Sequence, residues 1–396
     1  MDTDDFDVLI CGAGMTGATL ALLLSRYAKV HHKMPLRVAL IEAQPLNYGK
    51  HPGFDGRAIA LSAGSISVYQ GCNFWSQLAP FSEFIQQIHV SDRGHFGHVD
   101  MHAKEYGLSE LGAVIELSHA GEQLHQALSQ LNHVTLFCPA TVAKVQASTA
   151  SIQVKLSDNR VITGKLLVGA DGSHSQVAQQ MRLNSQLLDF GQSAIIANVA
   201  CPNPHQHHAY ERFTPHGPVA LLPMQEQRWS LVWCVPRSQQ QHWLNVGDEE
   251  FLAGLQKAFG YRVGHFQRVG QRSGYPLILT QRQRVFAQRS VIIGNAAHSL
   301  HPIAGQGFNL GIRDAATLAE LMVLADDPGE FALLNRYQTQ RCQDIETTVG
   351  LTSALALGFA STDKLSVIPR NIGLLLMQHS ASLKSKLVRQ TLGYTQ

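Results

Sequence analysis

The chain has little of what would place it in several common classes. Its six cysteines (Cys11, Cys72, Cys138, Cys201, Cys234 and Cys342) never fall in Cys-x-x-Cys spacing. That excludes a zinc ribbon and predicts free thiols in a reducing compartment, not a disulfide frame. No window reaches the ~18 consecutive apolar residues of a membrane-spanning helix. Charged residues are only 15% of the chain and nearly balance at a net +2. Without a basic run, nucleic acid is not an expected partner. The acidic start, Met1-Asp-Thr-Asp-Asp, leads straight into an apolar run and lacks the basic, then apolar, pattern of a secretion signal. A cytoplasmic protein is expected, one that can still touch the inner face of the cytoplasmic membrane.

What is present supports a large core. At 396 residues and 45% hydrophobic content the chain suits two domains or one large α/β unit. Histidine is abundant, with 20 residues. His205, His207 and His208 cluster beside Pro202 and Pro204, with no carboxylate or thiolate set nearby in sequence. They predict a solvated loop and no metal site.

Phe6–Cys11 is a short apolar run suited to a strand buried on both faces of a parallel sheet. Gly12-Ala-Gly14-Met-Thr-Gly17 follows, then a helical stretch from Ala18 to Tyr27, then a second strand ending in Glu42. Dinucleotide binding needs these residues in this order. Gly12 permits the tight turn, Gly14 lets a pyrophosphate approach the backbone, and Gly17 lets the helix pack on the strand. Glu42, 25 positions beyond Gly17, can accept hydrogen bonds from an adenosine ribose. Bound FAD or NAD is the expectation.

Beyond an irregular stretch from Gln44 to Gly56, Arg57–Ser62 is expected to open a helix running to Tyr69. Arg57 suits either a phosphate or flavin contact or an exposed salt bridge. Short strands follow within 81–118, then a helix from about Gly121 to Leu131, and strands at 134–137, 141–146, 152–156 and 161–167. The last of these ends at Asp171-Gly172, with Ser173 and Ser175 available to cap the next helix. From about Leu187 antiparallel strands take over. Trp229, Leu231 and Trp233 share one face at period two, either covering a cavity or packing an ordinary sheet core. Asp248–Phe259 reads as an amphipathic helix.

The most informative stretch is late. Val291–Asp314 begins as a strand, breaks at Gly294-Asn295, crosses a loop rich in Gly and Pro, and enters a helix after Pro302. Backbone N–H groups at Gly305, Gln306 and Gly307 would stand unpaired at the helix start, where the helix dipole favours negative charge. The fold class is therefore α/β: a dinucleotide-binding, Rossmann-like domain, interrupted by a mostly antiparallel sheet domain and followed by a helical tail. The expected boundaries are 1–185 (with an excursion into the sheet domain around 72–118), 186–284, 285–335 for the return to the nucleotide domain, and 336–396 for the tail.

Taken together, Gly12/Gly14/Gly17 with Glu42, Asp171-Gly172 and Gly294–Asp314 resemble the flavoprotein aromatic hydroxylases, single-component FAD monooxygenases of the p-hydroxybenzoate hydroxylase type. Phe54-Asp-Gly-Arg-Ala-Ile-Ala-Leu-Ser62, Glu211–Pro218 and His301–Gly311 are similar to the ubiquinone-biosynthesis branch. The resemblance implies that the Rossmann-like domain is FAD-binding and of the glutathione-reductase type, with FAD as cofactor, NADPH or NADH as reductant and O2 as co-substrate. It implies ring hydroxylation of a prenylated phenol, foremost 2-octaprenyl-6-methoxyphenol, through a C4a-hydroperoxyflavin. Gly12, Gly14, Gly17, Glu42, Arg57, Asp171, Gly172, Gly294, Asn295, Pro302, Gly305, Gln306 and Gly307 would contact the cofactor. His298 and Pro302 would form the flavin's reactive environment, His298 either tuning the site or making a structural hydrogen bond, and the Trp229–Trp233 face would keep the pocket dry. Position 295 departs from the family's usual Asp, which predicts loosened FAD. Gly121 replaces an arginine of many relatives, so their pyrophosphate contact is not carried over.

A prenylated substrate implies a membrane or a lipid-binding partner, and other ubiquinone-biosynthesis proteins are possible partners. From Asp363 onward five cations face one acid among interspersed apolar residues. Such a tail can lie on an anionic surface or pack as a helix on the FAD domain or another subunit. Alternatives are hydroxylation at another ring position, a flavin halogenase, which the spacing of Trp229 and Trp233 disfavours, and a flavin-bearing scaffold subunit.

Overall fold

Asp4–Cys11 is the centre of the first sheet because it can be apolar on both sides: Val8, Leu9 and Ile10 are fully buried. It pairs in parallel with Val161–Gly169 on one flank and Val38–Ile41 on the other, with Val134–Phe137 beyond. Ser290–Ile292 returns late in the chain to pair in parallel with Val161–Gly169. The computed structural model describes residues 4–45, 57–360 and 364–393. Most of the irregular stretch after Glu42, and Phe54-Asp-Gly, lie outside the described residues.

A second, nine-stranded sheet runs His298–Ser299, Ser273–Gln281, Gln186–Ala200, Arg228–Pro236, Gly217–Met224, His208–Thr214, Gln87–Asp92, His98–His102, with Arg268–Val269 paired to Gln186–Ala200. It is antiparallel except where His208–Thr214 meets Gln87–Asp92. Through that parallel pairing the early hairpin 87–102 joins the later sheet.

A small third sheet joins Ala58–Ser62, Gly112–Glu116 and Ser82–Ile85. Here the expected helix from Arg57 is corrected: Ala58–Ser62 is a strand, and the helix begins only at Ala63. Ser62 caps it, its Oγ accepting from Ser65 N at 3.4 Å. The strand exists because Gly112–Glu116 supplies its partner from 50 or more residues away, beyond the reach of local pattern.

The period-two face of Arg228–Pro236 is core. Trp229, Leu231 and Trp233 are buried with Phe251, Leu255 and Phe259 of the helix Asp248–Phe259. Trp233 and Phe251 meet edge to face at 5.5 Å.

Helices Phe331–Ala360, Lys364–His379 and Ala381–Leu392 complete the chain. The last two turn Leu374, Val388 and Leu392 inward against Val99 and Met101. Two of the tail's cations are not free for an external surface. Arg370 Nε donates to Asp92 Oδ2 at 2.9 Å, and Lys384 Nζ lies 2.8 Å from Glu105. The outer side instead exposes Ile368, Ile372, Leu376 and Leu383. Among the described residues no helix is long and apolar enough to cross a membrane.

Candidate functional site

The three sheets and the tail helices enclose one large cavity of about 1040 Å³. Gly12 starts its phosphate-sized end. It sits at φ +99°, and a Cβ there would meet Ala170 O at 2.4 Å, so the turn between the first strand and its helix closes only with glycine. Gly17 does not line the cavity. A Cβ there would meet Gly12 O at 1.9 Å, so its role is close helix packing. Gly14 is different: nothing lies within 4 Å of where its Cβ would be, and it lines the cavity.

Glu42 and Asp171 flank this turn. Glu42 accepts from Ala13 N at 2.8 Å through Oε2 and from Gln44 N at 2.9 Å through Oε1, tying the end of the second strand to the glycine turn. Asp171 Oδ2 accepts from Gln176 N at 2.7 Å and Val177 N at 3.2 Å at the start of helix Gln176–Gln180. Ser175 also caps this helix, accepting from Ala178 N at 2.9 Å, whereas Ser173 Oγ lies 3.3 Å from His174 Nδ1. Asp171 Oδ1 is buried at the cavity wall, with no hydrogen-bond partner among the described residues. A buried carboxylate oxygen left unpaired is costly unless a ligand donor reaches it.

The third turn forms the cavity floor. Gly305 adopts φ +60° as the N-cap of the helix Gln306–Leu324 and, being glycine, brings no side chain to cap it. Pro302, Gly305, Gln306, Gly307 and Phe308 all line the cavity. The first turn of a 19-residue helix, with the positive end of its dipole, therefore meets whatever occupies the cavity. Asn309 fixes the floor's angle. Its Oδ1 accepts from Ser62 N and Ser65 Oγ, at 2.8 and 2.7 Å, and its Nδ2 donates to Ala60 O and Gly305 O, at 2.9 and 2.8 Å. Sequence reasoning passed over Asn309, although it sits inside the motif, because its partners come from the distant small sheet.

Asn295 faces the cavity, but Gly294 and His298 do not line it. Both are held from behind by Asp314, whose Oδ2 accepts from Gly294 N at 3.0 Å and sits 2.7 Å from His298 Nε2. Asp314 Oδ1 accepts from Arg341 Nε at 2.8 Å, and Arg341 and Arg313 both pair with Asp344. Burial alone would raise the Asp314 carboxyl, yet His298 and Arg341 beside it hold it far below the usual carboxylate range. His298 makes a hydrogen bond of the structural kind, to Asp314, and is not among the residues that line the cavity.

His301, three residues on, does line the cavity. It is 1% exposed, its Nε2 lies 3.2 Å from Gln192 Oε1, and burial pushes its imidazole down to about 4. Arg57 also lines the cavity, its guanidinium 5.3 Å from the Tyr275 ring centroid. Gly121 is buried inside helix Leu117–Ser129 and does not line it.

Away from the turns the wall is apolar. Ile85, Ile88, Val90, Val99, Met101 and Leu111 face Leu355, Leu374, Met377 and Val388. The nine-stranded sheet contributes Ile196, Ala220, Leu222 and Val232. The expectation that Trp229–Trp233 keep this space dry is thus corrected: the opposite face of the same strand does so, since strand side chains alternate.

A buried carboxylate oxygen of Asp171 with no partner among the described residues, an open glycine backbone at Gly14 and a helix start facing the cavity together fit a large, anionic, hydroxyl-bearing nucleotide such as FAD. A family model described as FAD binding domain matches residues 5–352. The chain is 32% identical over 393 residues to the ubiquinone hydroxylase UbiL of Rhodospirillum rubrum, covering 98% of this chain and 89% of that protein. It is 29% identical to the 3-demethoxyubiquinol 3-hydroxylase of Escherichia coli K12, covering 99% and 100%. Among solved structures, pqsL of Pseudomonas aeruginosa, a probable FAD-dependent monooxygenase, superposes with a TM-score of 0.75 at 22% identity, covering 94% of this chain and all of that one.

Proposed function

We propose that this chain, which belongs to the FAD binding domain family and is an FAD-dependent monooxygenase, hydroxylates the aromatic ring of a prenylated phenol in ubiquinone biosynthesis. The observation that carries the reading is the cavity's second half. Besides the floor at Gly305–Gly307 the space is lined by Met101, Val99, Leu374 and Val388, and its wall is mostly apolar. A free small phenol has no use for such a length of apolar wall; a phenol with an isoprenoid tail does.

The chemistry that FAD supplies when bound is activation of O2 with electrons from NADPH or NADH, which delivers one oxygen atom to the ring. The protein's part is binding, charge and dryness. Gly12, Gly14 and the neighbouring amides would receive the pyrophosphate, Glu42 and Asp171 the hydroxyl-bearing portions. The helix start at Gln306 would stabilise negative charge on the reduced ring. Ile196, Leu222 and Val232 exclude water from the space above. The ring is presented by anchoring the tail, so no protein acid is needed to activate an already electron-rich phenol.

The substrate proposed is 2-octaprenyl-6-methoxyphenol; the likeness to the Escherichia coli 3-demethoxyubiquinol 3-hydroxylase favours demethoxyubiquinol as the second reading. Cells lacking the gene, extracted and analysed by mass spectrometry, should accumulate 2-octaprenyl-6-methoxyphenol. Accumulation of the demethoxylated quinol moves the step, and unchanged quinone with no accumulated precursor removes the assignment. Delivery from a lipid surface follows from the tail's insolubility, with Ile368, Ile372, Leu376 and Leu383 turned outward on the helices whose other side lines the cavity.

A further inference from the structure

We propose that Glu83, His205 and His207 form a binding site for a divalent transition metal of the zinc type, clasping the small sheet to the nine-stranded one. The expectation of a solvated histidine loop fails at His205, which is 4% exposed and packs edge to face on Trp229 at 5.7 Å. The carboxylate missing from the local sequence comes from Glu83, more than 100 positions earlier, on strand Ser82–Ile85. One ligand atom from each of the three residues lies within 4.8 Å of the other two.

The donors are arranged as ligands. His205 Nε2 lies 3.1 Å from Met224 O, a carbonyl that can only accept, so this nitrogen carries the proton and Nδ1 keeps its lone pair. That Nδ1 receives only a long contact of 3.2 Å from His207 N, which a metal ion would displace. Glu83 Oε1 lies 2.7 Å from His207 Nδ1, yet not in hydrogen-bond geometry, and Nδ1 is buried with no such partner. The turn that aims these rings is itself held: Gln206 and His207 are both left-handed, at φ 49° and 59°, and His207 O accepts from Gln86 N at 2.9 Å. Around a tetrahedral ion with bonds of about 2.0–2.2 Å, ligand atoms sit about 3.3–3.5 Å apart. From the present spacing, Glu83 Oε1 and His207 Nδ1 would part by about 0.6–0.8 Å and the other ligand atoms, now within 4.8 Å, would draw in, by side-chain adjustment at His207 and Glu83. Two imidazoles and one carboxylate select zinc, or iron, nickel or copper, over calcium and magnesium. Water would complete the coordination.

This site is independent of the cavity's chemistry and stands whatever the substrate. Full-length, FAD-loaded protein is freed of metal with EDTA and titrated with ZnCl2 by calorimetry. One zinc per chain is expected, with a rise in Tm. His207→Ala and Glu83→Gln, both at partly exposed side chains, should each weaken zinc at least about tenfold, because even outer partners of a ligand cost that much. Their FAD absorbance and metal-free Tm should stay at wild-type values, and His208→Ala, one residue outside the cluster, should bind zinc normally. Absence of stoichiometric binding to the wild type, or equal binding by wild type, His207→Ala and Glu83→Gln, overturns the proposal.

Discussion

The two ends of the cavity are built by opposite means. At the nucleotide end, backbone amides and a few carboxylates are fixed by hydrogen bonds of 2.7–3.2 Å, and the floor hangs on buried Asp314. At the far end side chains of ordinary hydrophobic residues from four separate parts of the chain merely fill a wall. Directional bonds place atoms, whereas apolar contacts set only shape and volume. The first end should therefore respond sharply to single changes and the second gradually.

The largest expected effect tests the floor. Asp314→Asn leaves Arg341 facing a neutral partner in a buried network and should cost about 3–5 kcal/mol in urea unfolding, with weakened FAD retention. A loss below ~1 kcal/mol would mean the network is dispensable and the contrast between the ends overstated. Comparable in size is a pair on one strand. Trp229→Ala should destabilise by about 3–5 kcal/mol. Val232→Phe, pointing the other way into the cavity, should leave the unfolding midpoint nearly unchanged while lowering turnover of the prenylated substrate. Equal effects on stability would contradict the assignment of faces.

His301 sits where the ends meet. Its imidazole falls from 6.5 to about 4, so the unfolded chain binds the extra proton between those values and stability drops as pH falls across that window. The drop from this group is at most about 3 kcal/mol. His301→Leu should flatten the stability curve between those pH values, and an unchanged slope would show that the ring is hydrated. Smaller still is Asn295→Asp, which restores a charged acceptor and should tighten FAD by about 1 kcal/mol, roughly fivefold, in equilibrium titration. An unaltered FAD affinity would remove Asn295 as the cause of loosened binding. At the other end, Ile372→Glu with Leu376→Glu should modestly reduce co-sedimentation with liposomes; undiminished binding rejects the outward stripe as a lipid contact.

The sequence by itself determined the elements whose cause is local. Phe6–Cys11 with its glycine turn, the acid at Glu42, the strand ending at Asp171 and the helix after Gly305 are set by apolar runs, φ requirements and caps within a few residues. Asp248–Phe259 was legible for the same reason, its apolar period matching one buried face. Tertiary structure decided whatever depends on a partner distant in the chain. Ala58–Ser62 is a strand because Gly112–Glu116 lies beside it, and the Trp229 face is core because Asp248–Phe259 covers it. His298 became a positioning residue and His301 a cavity residue although both occupy the same motif. Periodicity states which side chains share a face, but only packing states what that face meets.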